Sequence, residues 1–173
     1  ALGYSALGAN TTASNNTAVG VSALAVNTTG TQNVAVGSFS LDAVTTASNN
    51  TAIGYLSGSS ITTGASNTLL GSTAGDSITT AANNTAVGQA SLGLATTGAN
   101  NTAVGYLSGG LLTTGNSNVA MGYNALGSDT LGDRAVAIGL SALASQNFTS
   151  STDNYNIGIG YGAGLSNTTG SQN

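Results

Sequence analysis

The 173-residue chain has no cysteine, proline, histidine, lysine, glutamate or tryptophan, and charged residues make up only 3% of it. Each absence removes a class of behaviour. Without cysteine there is no disulfide framework, thiolate metal site or redox pair. A single basic residue, Arg134, stands against five aspartates, Asp42, Asp76, Asp129, Asp133 and Asp153. Neutralising a phosphate backbone or holding an anionic bilayer takes several Lys or Arg, so nucleic-acid partners and a polybasic membrane patch are excluded. No apolar run approaches the ~18 residues that span a bilayer, so membrane insertion of this segment is not expected. The opening ALGYSALG reads as the middle of a repeat and not as a signal peptide.

Catalysis is equally short of parts. Nucleophile–base pairs and metal clusters draw on His, Cys, Lys and Glu, so no catalytic, cofactor or metal site is expected and the chain reads as non-enzymatic. A glycosidase-type carboxylate pair remains, and Asp129 and Asp133 lie close in sequence. The neighbouring Arg134 makes a surface ion-pair group the simpler reading. The glycines of Gly158-Ile159-Gly160-Tyr161-Gly162 are not followed by the helix a phosphate loop needs. Five scattered Asp lack the one-per-repeat pattern of calcium-binding solenoids.

What is present is repetition. NNTAIGYLSG at residues 49–58 returns as NNTAVGYLSG at residues 100–109. Its glycine marks a period of 17 through Gly3, Gly20, Gly37, Gly54, Gly71, Gly88, Gly105, Gly122 and Gly139, and Gly160 follows after 21. Four residues before the marker, or before where the next would fall, stand Asn16, Asn33, Asn50, Asn67, Asn84, Asn101, Asn118, Asn156 and Asn173, with Ala135 the exception. One residue before it is Val, Ile, Leu or Met, and a T-T-G or T-T-A segment recurs between markers.

Seventeen residues suit two short strands and two turns. N-T-A-V-G alternates faces with period two, and the Asn- and Gly-rich segments tolerate turn and left-handed backbone. The expected fold is all-β: a parallel β-solenoid, or β-roll, of about ten 17-residue coils. Residues 1–173 form a single continuous array with a lengthened coil at 140–160, a rod roughly 48 Å long at strand spacing. Stacking explains the missing charge, since a charged repeat position would set like charges ~4.8 Å apart, costing about 0.9 kcal/mol per pair even in water. Asn can instead bond to the Asn above and below. The Ala/Gly face of the strand either lines a narrow interior or offers a flat docking surface. Both ends stop inside a repeat without a polar cap, so the expectation is a fragment of a longer array or a subunit that stacks end to end.

Ala135-Val136-Ala137-Ile138-Gly139, followed by Leu140-Ser141-Ala142-Leu143-Ala144, resembles the head repeat of trimeric autotransporter adhesins, and Val119-Ala120-Met121-Gly122 matches nearly as well. The N-T-A-V-G coils are similar to arrays in phage tail fibres and large bacterial surface proteins. The resemblance implies a left-handed β-roll in which three chains associate and the motif's Val and Ile fill the interior. It further implies an extracellular, non-enzymatic fibre segment, an adhesin head or tail-fibre shaft, that self-associates as a homotrimer and meets a host-surface receptor or glycan. The alternative is the protomer of an end-to-end extracellular filament. A minor alternative is an ice-binding solenoid, raised by the Thr pairs, although adjacent Thr should point to opposite faces.

Three sets of residues stand out from the scaffold. The lengthened coil is the candidate contact loop, with Asn147, Phe148 and Asp153, because recognition concentrates on loops that leave a rigid array. N-x-[ST] sequences at Asn10, Asn15, Asn27, Asn49, Asn83, Asn100, Asn147 and Asn167 are candidate glycosylation sites, although an Asn/Thr array generates such matches by periodicity. Tyr4, Tyr55, Tyr106, Tyr123 and Tyr161 share the place after the marker Gly, for corner packing, a chain interface or sugar stacking.

Overall fold

The computed structural model describes all residues 1–173, with no helix. Nine three-residue strands follow one another: β1 (Thr17–Val19), β2 (Val34–Val36), β3 (Thr51–Ile53), β4 (Thr68–Leu70), β5 (Thr85–Val87), β6 (Thr102–Val104), β7 (Val119–Met121), β9 (Val136–Ile138) and β11 (Ile157–Ile159). They form one parallel sheet in chain order. Register advances by one repeat per strand, so Ala18 lies beside Ala35 and Ala103 beside Ala120. A bridge from Leu2 to Val19 begins the ladder one coil earlier. Two short strands, β8 (Gly132–Asp133) and β10 (Thr152–Asp153), make a second parallel pair where the coil lengthens. The chain is therefore a parallel β-solenoid.

Which way the strands face corrects the sequence reading. The central residue of each is buried: Ala18, Ala35, Ala52, Leu69, Ala86, Ala103, Ala120, Ala137 and Gly158. The flanking Thr and Val positions turn outward, half-buried or exposed, Val104 among them. The Ala/Gly face thus lines the interior, and the Val and Ile of the motif do not fill it.

The physical reason lies on the opposite wall. Four residues past the marker, Leu24, Leu41, Leu92, Leu126 and Leu143 project into the core from backbone at φ of 49–51°. Three coils place Gly58, Gly75 or Gly109 there, and the core is filled from three residues further on by Ile61, Ile78 or Leu112. No coil combines Leu at the fourth position with Ile or Leu at the seventh, although the Leu41 coil still admits the smaller Val44. A Cβ on Gly75 would sit 2.8 Å from Ile78 Cδ1. Where one large side chain enters from that wall, the strand residue facing it is Ala or Gly; Leu69 is the exception, and its Cδ atoms fill the space that Gly58 and Gly75 leave open.

The marker glycines are fixed by stacking. Gly88 and Gly105 have φ of +128° and +134°, outside the region open to L side chains, and a Cβ on either would lie 2.6 Å from the next coil's glycyl oxygen. The N–H of each marker Gly donates back to the previous coil, as from Gly37 to Val19 O at 2.7 Å.

Candidate functional site

From Asn33 to Asn156 the asparagine file is buried and almost fully bonded. Each Oδ1 accepts the backbone N–H of the equivalent residue one coil on, as from Asn50 to Asn33 at 3.0 Å and from Ala135 to Asn118 at 2.8 Å. Each Nδ2 donates to a backbone carbonyl in the turn before the next Asn, for example Asn67 to Ala81 O at 2.9 Å. Direct amide-to-amide bonds also form, Asn67 Nδ2 to Asn50 Oδ1 at 3.1 Å among them. The preceding residue is left-handed, with φ 61° at Asn83 and Asn100, and the neighbouring coil's amide then meets a side-chain oxygen in place of a ladder carbonyl. Asparagine supplies the needed acceptor and donor from one branch point. This file is structural.

The outer face of the sheet carries two uncharged files of side chains along the rod. Val19, Val36, Ile53, Leu70, Val87, Val104, Met121, Ile138 and Ile159 run along it in single file. Beside them runs the Thr17-to-Ile157 file, with Thr in five coils and Val or Ile in the other four, and no charged side chain falls in either. The Tyr file follows the marker glycines and is exposed, Tyr4 at 80% and Tyr161 at 85%. Tyr106 and Tyr123, one coil apart, stack with ring centroids 5.6 Å apart at 31°.

The Thr pairs split as alternation requires. The first Thr turns to the backbone, Thr28 Oγ1 donating to Thr45 O and Thr96 Oγ1 to Thr113 O, both at 3.0 Å. The second is exposed in seven successive coils, from Thr12 through Thr63 to Thr114.

The lengthened coil is built around buried polar groups. Asp129 is fully buried; its Oδ2 accepts from Gln146 Nε2 at 2.6 Å and its Oδ1 from the N–H groups of Gly132 and Phe148. Gln146 Oε1 in turn accepts from Asn156 Nδ2 at 2.7 Å. Asp133, also buried, takes the N–H of Asn116 and the hydroxyl of Ser151, both at 2.6 Å. The expected surface ion-pair group of Asp129 and Asp133 with Arg134 does not form, because both carboxylates satisfy backbone and amide donors inside. Arg134 pairs instead with Asp153, and Tyr155 lies against its guanidinium. Of the candidate contact residues, Asn147 and Asp153 are exposed, whereas Phe148 is turned into the fold. Asn147 Oδ1 accepts from Thr130 Oγ1 at 3.0 Å.

Asp42 and Asp76 occupy equivalent places two coils apart. Burial pushes both carboxyls above the usual 3.8, against the partial opposition of local backbone N–H groups. No group of three or more His, Cys, Asp or Glu side chains gathers, and no pocket opens in the surface.

Fold and surface together define a charge-poor parallel β-solenoid with one uncharged flank. Comparison of the chain with family models, curated proteins and solved structures gives no match.

Proposed function

We propose that this chain is a non-enzymatic segment of an extracellular fibre, an adhesin head or tail-fibre shaft, in which copies associate side by side through the outer face of the sheet as a homotrimer. The observation that carries the reading is the uncharged, unpartnered face formed by β1 to β7, β9 and β11, aliphatic in one file and mixed Thr, Val and Ile in the other. Nine strands by their two outward side-chain files cover roughly 43 Å by 14 Å, on the order of 600 Å² per copy at sheet spacing. That is the upper end of the ~300–600 Å² of the largest patch on a typical monomer and approaches the ~800 Å² each partner contributes to a standard interface.

Pitch favours a copy of the same chain as the occupant. Ridges repeat every ~4.8 Å along the rod, and only a partner with that repeat meets them over the whole length. The extracellular setting and a receptor or glycan partner rest on the resemblance to adhesin and tail-fibre repeats.

Sedimentation across a concentration range tests the association. A closed trimer that Val87→Asp with Val104→Asp converts to a folded monomer supports the reading. A monomer at every concentration would sink it, and mass that grows without limit would point to the end-to-end filament. A second reading, ice binding, rests on the seven exposed Thr from Thr12 to Thr114, and thermal hysteresis at high protein concentration is its test.

A further inference from the structure

Eight N-x-[ST] sequences occur, and the structure sorts them. Asn27 is fully buried with Nδ2 donating to Gly30 O at 2.9 Å. Asn10 and Asn167 sit at the equivalent turn, their Nδ2 atoms donating to Ala13 O and Gly170 O at 3.1 Å. Asn147 belongs to the lengthened coil and is held by Thr130. The other four, Asn15, Asn49, Asn83 and Asn100, form one file, all exposed, at φ of 61–64°, with no hydrogen bond from their amides to the protein.

Left-handed backbone accounts for Asn at these places, since Asn tolerates it better than most residues. It does not account for what stands two residues on. Asn15, Asn49, Asn83 and Asn100 are each followed there by Thr17, Thr51, Thr85 and Thr102. Where the same file carries Gln32, Ser117, Arg134 or Tyr155, the partner is Val34, Val119, Val136 or Ile157. Ser66 with Thr68 is the one departure. Both Thr and Val suit the outward strand position, and the Asn and Thr of a pair are not bonded to each other, so the fold requires neither the pairing nor its loss. An N-glycan acceptor requires both residues at this spacing.

We propose that Asn15, Asn49, Asn83 and Asn100 are N-glycan acceptors of the folded chain, presented in file on one corner of the rod. In the transfer, Nδ2 bonds to C1 of the sugar as the C1–O bond to a nucleoside diphosphate breaks. The amide gives up one proton and the nucleotide leaves. Asn49 and Asn83 stand two coils apart, about 10 Å at strand spacing, and Asn83 and Asn100 one coil apart.

The test is incubation of the folded protein with a soluble N-glycosyltransferase specific for N-x-[ST] and UDP-glucose, read by intact mass and peptide mapping. Hexose is expected at these four asparagines and not at Asn27, which gains it only after denaturation. Thr51→Val and Thr85→Val use a residue the chain itself carries at Val34, so the circular dichroism spectrum should not change. Each variant should lose the single hexose at Asn49 or Asn83. No transfer to the folded chain, transfer confined to the other sequences, or unchanged labelling of Asn49 in Thr51→Val would overturn the assignment.

Discussion

At the scale of single residues, the solenoid is held by positions with only one chemical solution. Gly88→Ala puts a side chain at φ +128° against the carbonyl of Gly105, and a loss of at least ~2 kcal/mol is expected, measured by denaturant unfolding. Asn67→Ala removes one buried acceptor and one donor and should cost about 1–3 kcal/mol. Asn67→Asp should cost more at neutral pH, because a buried carboxylate would then face the Ala81 carbonyl that Nδ2 now satisfies.

Asp42 and Asp76 behave in the opposite sense to a paired carboxylate. Burial raises their folded-state values above 3.8, so the folded chain holds these protons more tightly than the unfolded chain. Their contribution is most favourable below that ordinary value and is lost as pH rises through the folded one. Asp42→Asn should therefore raise Tm at neutral pH and flatten its pH dependence. A series of melts across the acid range that gives the same slope for both proteins would contradict this.

At the scale of the coil, the period, the marker glycine and the asparagine file were legible in the sequence because stacking repeats a requirement in every turn. The direction of the strand was not. In T-A-V the branched residue looks like the core residue, but alternation defines two faces without saying which is inside. That choice is made across the coil by Leu at the fourth position or Ile and Leu at the seventh, a dependence no local pattern contains. The buried Asp129 and Gln146 were hidden for a related reason, since their partners lie one coil away at a point where the repeat is broken.

The exchange between the two core-filling positions is testable. Leu92→Gly should destabilise by about 2–5 kcal/mol through the cavity it leaves. Adding Ala95→Ile reproduces the arrangement of the neighbouring coils, Gly75 with Ile78 and Gly109 with Leu112, and should restore most of the loss. A double mutant no more stable than Leu92→Gly alone would show that the positions are not interchangeable. The outward file accepts Val, Ile, Leu and Met with little pattern, which fits a surface that is apolar as a whole.

At the scale of the whole molecule, each coil meets only its neighbours, so stability is close to a sum over coils and interfaces. Removing residues 72–88, one whole period ending on a marker glycine, should leave the circular dichroism spectrum per residue unchanged and lower Tm modestly. Removing one residue fewer should lower Tm further, because one coil must then bulge by a residue at the join, as the 21-residue coil between Gly139 and Gly160 bulges by four, while the later coils keep their own register.

Translational sameness has a consequence for assembly. Two identical rods lying flank to flank can slide by one coil and find nearly the same contacts, so their regular parts contain no ruler. The lengthened coil between Ser145 and Asp153, with its extra four residues and the Arg134–Asp153 pair, occurs once. In the proposed side-by-side assembly it would be the notch by which otherwise featureless rods are indexed against one another, turning a sliding contact into one with a single stop.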